Sequence, residues 1–240
     1  MKISLAQIRS AKGDILENIK IHEKWIELAI AEKSDLIVFP ELSLIGYEPE
    51  ISGQLAMDPN DARLTPIQRM CDQHDIIVGC GAPILSEEGV HISMLIFRPS
   101  HDVISYAKQL LHSDEYPYFV EGKHQVLVDQ KGEKVAPAIC YESMHEAHST
   151  KAVEMGASVY LASVAKDQKG VEGAFQHYPR VAKKHSMPVL MSNSVGYYAN
   201  FLSAGCSGVW GKQGRLLASL NETDEGLLTF DTTSEFVTRK

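Results

Sequence analysis

The chain lacks several things, and each absence narrows what it can be. Its 240 residues contain no apolar run long enough to span a bilayer, which argues against a membrane partner. Its first residues, Met1-Lys2-Ile3-Ser4-Leu5-Ala6-Gln7, pass directly into strand-like sequence without a signal-peptide core, so a cytoplasmic location is expected. There is no clustered Lys/Arg patch, and the net charge of −8 argues against a nucleic-acid partner. Cysteine is scarce. Cys71, Cys80, Cys140 and Cys206 are widely spaced with no Cys-x-x-Cys, the pattern of free thiols in a reducing compartment rather than of a disulfide framework. There is no internal repeat, low-complexity segment or linker, so residues 1–240 are expected to form a single domain.

What is present is an ordinary globular composition, 44% apolar and 22% charged, in a chain long enough to bury a large core. Strand-like and helix-like segments alternate, which predicts an α/β fold. Strands are predicted at 3–8, 36–39, 76–80, 92–97, 103–107, 126–128, 135–139, 157–164, 189–192, 209–210, 216–220 and 227–230. Hairpin-like pairs among them predict a mixed rather than purely parallel sheet. Helices are predicted from Asp14, with Glu17 completing a capping box, from Thr65-Pro66, and over 171–185. The segment from Ser43 to Asn60 reads as a loop.

The chain is organised around Lys134-Val-Ala-Pro-Ala-Ile-Cys140-Tyr-Glu-Ser-Met-His-Glu-Ala-His-Ser149. Its first half reads as a buried strand. Its second half opens a helix, with Ser143 and Glu146 forming a Ser-x-x-Glu capping box. Cys140 falls at the junction, where free backbone N–H groups favour negative charge. Such donors can lower a thiol pKa and bind an oxyanion, so this is where a nucleophile would be placed. The plain alternative is one more buried thiol.

Glu41 and Lys108 also stand at the ends of apolar strands, and α/β sheets build sites at the carboxyl ends of their strands. A carboxylate to take the thiol proton, a thiolate to attack a carbonyl or nitrile carbon, and an ammonium to hold the resulting oxyanion together make a chemically complete set. The plain alternative is a Glu–Lys ion pair beside an inert cysteine.

The sequence resembles the nitrilase, or carbon–nitrogen hydrolase, superfamily. The resemblance rests on Phe39-Pro40-Glu41-Leu42-Ser43 with Gly46-Tyr47, on Tyr106-Ala107-Lys108, on Glu115 with Tyr118-Phe119 and Gly122, and on Ile139-Cys140-Tyr141-Glu142. Weaker matches continue at Gly156-Ala157, Arg180-Val-Ala182, Asn193-Ser194-Val195-Gly196 and Gly205-Cys206-Ser207, so nearly the whole chain is covered. The resemblance implies a four-layer α-β-β-α sandwich with two mixed β-sheets, and a homodimer or larger homo-oligomer. It implies Glu41 as general base, Lys108 as the oxyanion-stabilising lysine, Cys140 as nucleophile and Glu115 as a second glutamate orienting the lysine and the attacking water. The backbone N–H of Tyr141 would serve the oxyanion, and Tyr47, Glu142 and Asn193 are candidate substrate-binding residues. No cofactor and no metal is expected. The implied activity is hydrolysis of a small amide through an acyl-thioester. Nitrile hydrolysis, acyl transfer from the same thioester, and a non-catalytic binding protein on this scaffold are the alternatives. Met144 and Leu110 stand where many members carry Arg and His, so a substrate preference tied to that Arg does not transfer.

Other readings are plainer. His145 and His148 lack a third ligand of assignable spacing and read as a solvated helix face. A papain-like Cys–His pair would require His177. Cys71 and Cys80 read as core and Cys206 as packing. Tyr116, Tyr118 and Phe119 either line the pocket mouth or cover the sheet.

Overall fold

The structure, a computed structural model, describes residues 1–199 and 201–240. In chain order the elements are β1 (Lys2–Gln7), α1 (Ile15–Ala31), β2 (Leu36–Val38), α2 (Pro49–Leu55), α3 (Thr65–His74), β3 (Ile77–Ser86), β4 (Gly89–Phe97), β5 (Ile104–Ala107), β6 (Val128–Gln130), β7 (Glu133–Ile139), α4 (Glu146–Glu154), β8 (Val159–Val164), α5 (Gln168–His185), β9 (Val189–Asn193), β10 (Val195–Tyr198), β11 (Phe201–Ala204), β12 (Gly208–Trp210), β13 (Leu216–Ser219), β14 (Gly226–Asp231) and β15 (Val237–Arg239).

Two mixed sheets carry the fold. One has the order β15-β14-β1-β2-β3-β4-β5 and the other β13-β12-β9-β8-β7-β6. Each has three parallel strands at its centre, β1-β2-β3 and β9-β8-β7, flanked by antiparallel ones. The central strands are buried on both faces, which is why their sequences run apolar without interruption.

Period-two alternation sorts the second sheet into two cores. Val135, Ile139, Val159, Leu161 and Leu190 join the first sheet's residues in one cluster. Ala136, Ala138, Tyr160, Ala162 and Val164 join Tyr178, Val181 and Trp210 in another, beneath α5. α1 and α3 cover the far face of the first sheet through Ile19, Ile26, Ile67 and Cys71. The layers are therefore α-β-β-α, as the family resemblance implied. Polar ties cross between the sheets: Ser192 Oγ donates to Ala6 O at 2.7 Å and Ser163 Oγ to Phe39 O at 2.8 Å. No helix among the described residues is long and apolar enough to cross a membrane.

Local departures from the sequence reading have local causes. Asp14 caps α1 by accepting from Glu17 N at 3.0 Å, but the Glu17 carboxylate pairs with Lys20 instead of closing a box. Ser143 does not cap α4. A short 3-10 helix, Cys140–Met144, intervenes, and the Ser143 hydroxyl is taken by Cys140 O and the Tyr178 hydroxyl. The expected loop at 43–60 contains α2, which starts at Pro49. The hairpin β10-β11 and the edge strand β15 were not predicted.

Candidate active site

Glu41, Lys108 and Cys140 follow β2, β5 and β7, and the sandwich brings the ends of these strands together. Pro40–Ile45 turns back over the first sheet. Ser43 N donates to Pro40 O, Leu44 N to Gly81 O, and Ser43 Oγ receives Gly81 N and meets His22 Nε2. Gly81 is required for this approach. A Cβ there would lie 2.2 Å from Leu42 N and 2.6 Å from Pro40 O. Leu42 takes φ of 52° in the same turn.

Lys108 is fully buried. Its ammonium donates to Glu41 Oε1 at 2.7 Å and to Glu115 Oε1 at 2.6 Å. Burial opposes the charged ammonium, but the two carboxylates outweigh it and raise its pKa well above the ordinary lysine value. Its backbone is pinned by Lys108 N to Ile92 O and Gly122 N to Lys108 O. Gly122 must be glycine for that second bond, because a Cβ would stand 2.3 Å from Ala107 O. Glu115 is held in turn by the Tyr47 hydroxyl at 2.8 Å and by His112 N at 2.7 Å. Glu41 keeps one oxygen, Oε2, buried with no hydrogen-bond partner among the described residues, and its carboxylate interacts with the Cys140 thiol. Burial raises the Glu41 pKa above its ordinary value, and Lys108 opposes the rise.

Cys140 sits at the strand-to-helix junction with φ of 44°, the left-handed region that an L residue adopts only when its surroundings force it. Its Sγ lies 3.8 Å from Ala165 O. The expectation of a lowered thiol pKa is corrected. Burial pushes the thiol up to about 11 and Glu41 adds to the rise, while Lys166 and Lys108 oppose it. The 3-10 helix that starts there spans only Cys140–Met144, too little to outweigh desolvation. Tyr141 N–H, in the first turn of that helix, is not drawn into a helical hydrogen bond. The Tyr141 ring is partly exposed between His112 and His145, with centroids 5.2 and 4.6 Å away.

The other candidates take different places. Tyr47 reaches the cluster through Glu115. Glu142 is fully buried behind the elbow rather than open to a pocket. Its Oε1 accepts from Ile139 N and the Tyr106 hydroxyl, both at 2.6 Å, and its Oε2 accepts from Gln109 N at 2.6 Å. One carboxylate thus ties the residue before Cys140 to the residue after Lys108. Burial pushes Glu142 up to about 7 despite these bonds. Asn193 is also fully buried, with its amide spent on Lys166 N, Lys166 O and Gly205 O. His148 is buried against Tyr106 and Tyr160, not solvated. Burial lowers its pKa to about 4. No hydrogen bond joins His177 to Cys140 among the described residues, so the papain-like pairing is not formed. Cys71 and Cys80 are core residues. Phe119 is buried, whereas Tyr116 and Tyr118 are exposed.

Lys166 was not singled out from the sequence. It stands just past β8, a strand-end position like the other three, and the same rule would have found it.

The fold and this cluster define a thiol-centred site at the strand ends of an α-β-β-α sandwich. The pattern of the carbon–nitrogen hydrolase family matches residues 2–239, and the chain belongs to that family. An amidase of Nesterenkonia sp. AN1 superposes with a TM-score of 0.86 at 23% identity, over 96% of this chain and 92% of that one. One structure of that amidase carries acrylamide added at its active site cysteine, and a mutant of it was solved with butyramide. The omega-amidase YafV of Yersinia enterocolitica is 19% identical over 211 residues, 87% of this chain and 75% of that one. The glutamine-dependent NAD(+) synthetase of Aquifex aeolicus is 31% identical over 151 residues, 58% of this chain. The chain spans only 25% of that synthetase's length, and 29% and 26% of two others.

Proposed function

We propose that the protein is a cysteine-dependent amidase acting on a small molecule. One observation carries the reading: a fully buried lysine bridges two carboxylates beside a cysteine held in a strained elbow. Such an arrangement is expensive to bury for stability alone, since buried ion pairs gain little over apolar packing, and it is what acyl transfer requires.

The chemistry follows from the partners. Glu41, through its unpartnered oxygen, takes the Cys140 thiol proton as sulfur bonds to the amide carbon. The carbonyl electrons move to oxygen, where the Lys108 ammonium and the Tyr141 N–H hold the developing oxyanion. Glu41 returns the proton to nitrogen as the carbon–nitrogen bond breaks and ammonia or an amine leaves. Water then attacks the thioester carbon, giving its proton to Glu41. The carbon–sulfur bond breaks and the thiolate is reprotonated. A thiol of pKa about 11 is neutral at rest, so its proton is removed as the bond forms. Glu115 and Tyr47 keep Lys108 aimed, and Glu142 positions the elbow. That similar proteins are named as an omega-amidase and an amidase supports an amide rather than a nitrile as the substrate.

The test is ammonia release from a panel of small amides, carbamoyl amines and nitriles, comparing wild type with Cys140→Ala. Release by wild type alone supports the reading; equal release by the variant removes Cys140 from the chemistry.

A further inference from the structure

Lys166 is the second buried lysine at the site, and the mechanism above does not use it. It is 7% exposed. Its backbone is fixed on both sides: Lys166 N donates to Asn193 Oδ1 at 2.9 Å, and Lys166 O accepts from Ala204 N at 2.9 Å and from Asn193 Nδ2 and Ser203 Oγ at 3.2 Å. Its side chain leaves the backbone beside Ala165, whose carbonyl faces Cys140 Sγ at 3.8 Å. It passes under the first turn of α5, where a Cβ on Gly170 would meet Lys166 Cβ at 3.1 Å. The titratable groups it faces are Cys140, Tyr178, Glu41 and Lys108.

Among the described residues no carboxylate lies within ion-pair distance of the Lys166 ammonium, and no side chain or carbonyl accepts from it. Glu41 and Glu115 are both engaged by Lys108. The Cys140 thiol and the Tyr178 phenol, both raised by burial, are uncharged near neutrality. The residue is largely buried, its ammonium has no direct acceptor among the described residues, and the backbone around it is built to hold it in place. The oxyanion already has Lys108 and Tyr141 N–H, so a third donor there would be redundant.

We propose that Lys166 forms a subsite for a carboxylate carried on the acyl part of the substrate. The preferred substrates are then ω-amides, either monoamides of short dicarboxylic acids or the side-chain amides of amino acids. This deepens the amidase reading and rests on it. The carboxylate supplies the acceptor that Lys166 lacks, and its binding places the scissile amide over Cys140.

The experiment compares succinamate and glutaramate with butyramide and valeramide as neutral counterparts, using wild type, Lys166→Met and Lys166→Arg. Wild type should prefer the charged amides by roughly 10- to 100-fold in kcat/KM, the range of one charge-assisted hydrogen bond. Lys166→Met should collapse that ratio mainly through KM, and Lys166→Arg should retain part of it. Glutarate should slow alkylation of Cys140 by iodoacetamide in wild type and not in Lys166→Met, a readout that needs no turnover. A wild type that hydrolyses neutral and charged amides equally overturns the subsite while leaving the amidase reading intact. So does a Lys166→Met variant that loses both classes by the same factor, since Lys166 would then act on the thiol. Glutarate protection without hydrolysis of any amide would support the subsite and defeat the amidase reading.

Discussion

The two sheets contribute unlike halves to one site. The first sheet supplies Glu41, Lys108 and Glu115, fully desolvated, mutually paired and pinned by close backbone contacts at Gly81 and Gly122. The second supplies Cys140 in a strained conformation and Lys166 with no acceptor among the described residues. One half is ion-paired before substrate arrives, with only Glu41 Oε2 left without a partner among the described residues, and the other holds a thiol and an ammonium that are not ion-paired. Preorganised charge costs nothing to reorient at the moment of reaction, so the paired half suits the oxyanion and proton steps. The open half suits the groups that must bond to substrate.

Stability measurements can break this contrast. Lys108→Met strands two buried carboxylates and should destabilise the fold by about 3–5 kcal/mol in denaturant unfolding, with activity lost. Lys166→Met strands no partner and should change stability by less than about 1 kcal/mol. Equal costs at the two lysines would show that the halves are not different in kind.

Glu142 links the halves, and its titration sharpens the comparison. Its folded pKa of about 7 lies above the ordinary 4.5, so its contribution is fully present below about pH 4.5 and is lost as pH rises through 7. Stability of wild type relative to Glu142→Gln should therefore fall by about 3 kcal/mol between pH 4.5 and pH 7.5 and be flat above. A difference independent of pH would place the Glu142 carboxyl in water. A smaller effect is expected at Gly122→Ala, where the added Cβ meets the Ala107 carbonyl. Loss of about 1–3 kcal/mol and a larger fall in kcat than in KM would follow from displacing Lys108.

Much of this arrangement was legible in the sequence because its causes are local or periodic. The apolar runs at Leu36–Val38 and Val159–Val164 read as strands because they are buried on both faces, and the residues that follow them are where α/β sheets put chemistry. Cys140 was legible because an apolar run stops there. Other features depend on contacts far away in sequence. Ser143 has the spacing of a helix cap, yet the Tyr178 hydroxyl, 35 residues on, claims its oxygen. Glu142 and Asn193 read as pocket residues, yet their partners come from β5, the β7 end and the segment after β8, which no local pattern shows. The elbow's depressed thiol pKa was expected from backbone donors alone, and the burial that reverses it belongs to the tertiary fold.

The central claim is a covalent acyl-enzyme on Cys140. Intact-mass and peptide mapping of enzyme quenched with acid during turnover of glutaramate tests it most directly. An acyl adduct on the peptide bearing Cys140, absent in Cys140→Ala, is the predicted result. Ammonia release with no adduct even at the shortest quench times, or an adduct on Cys206, would contradict it.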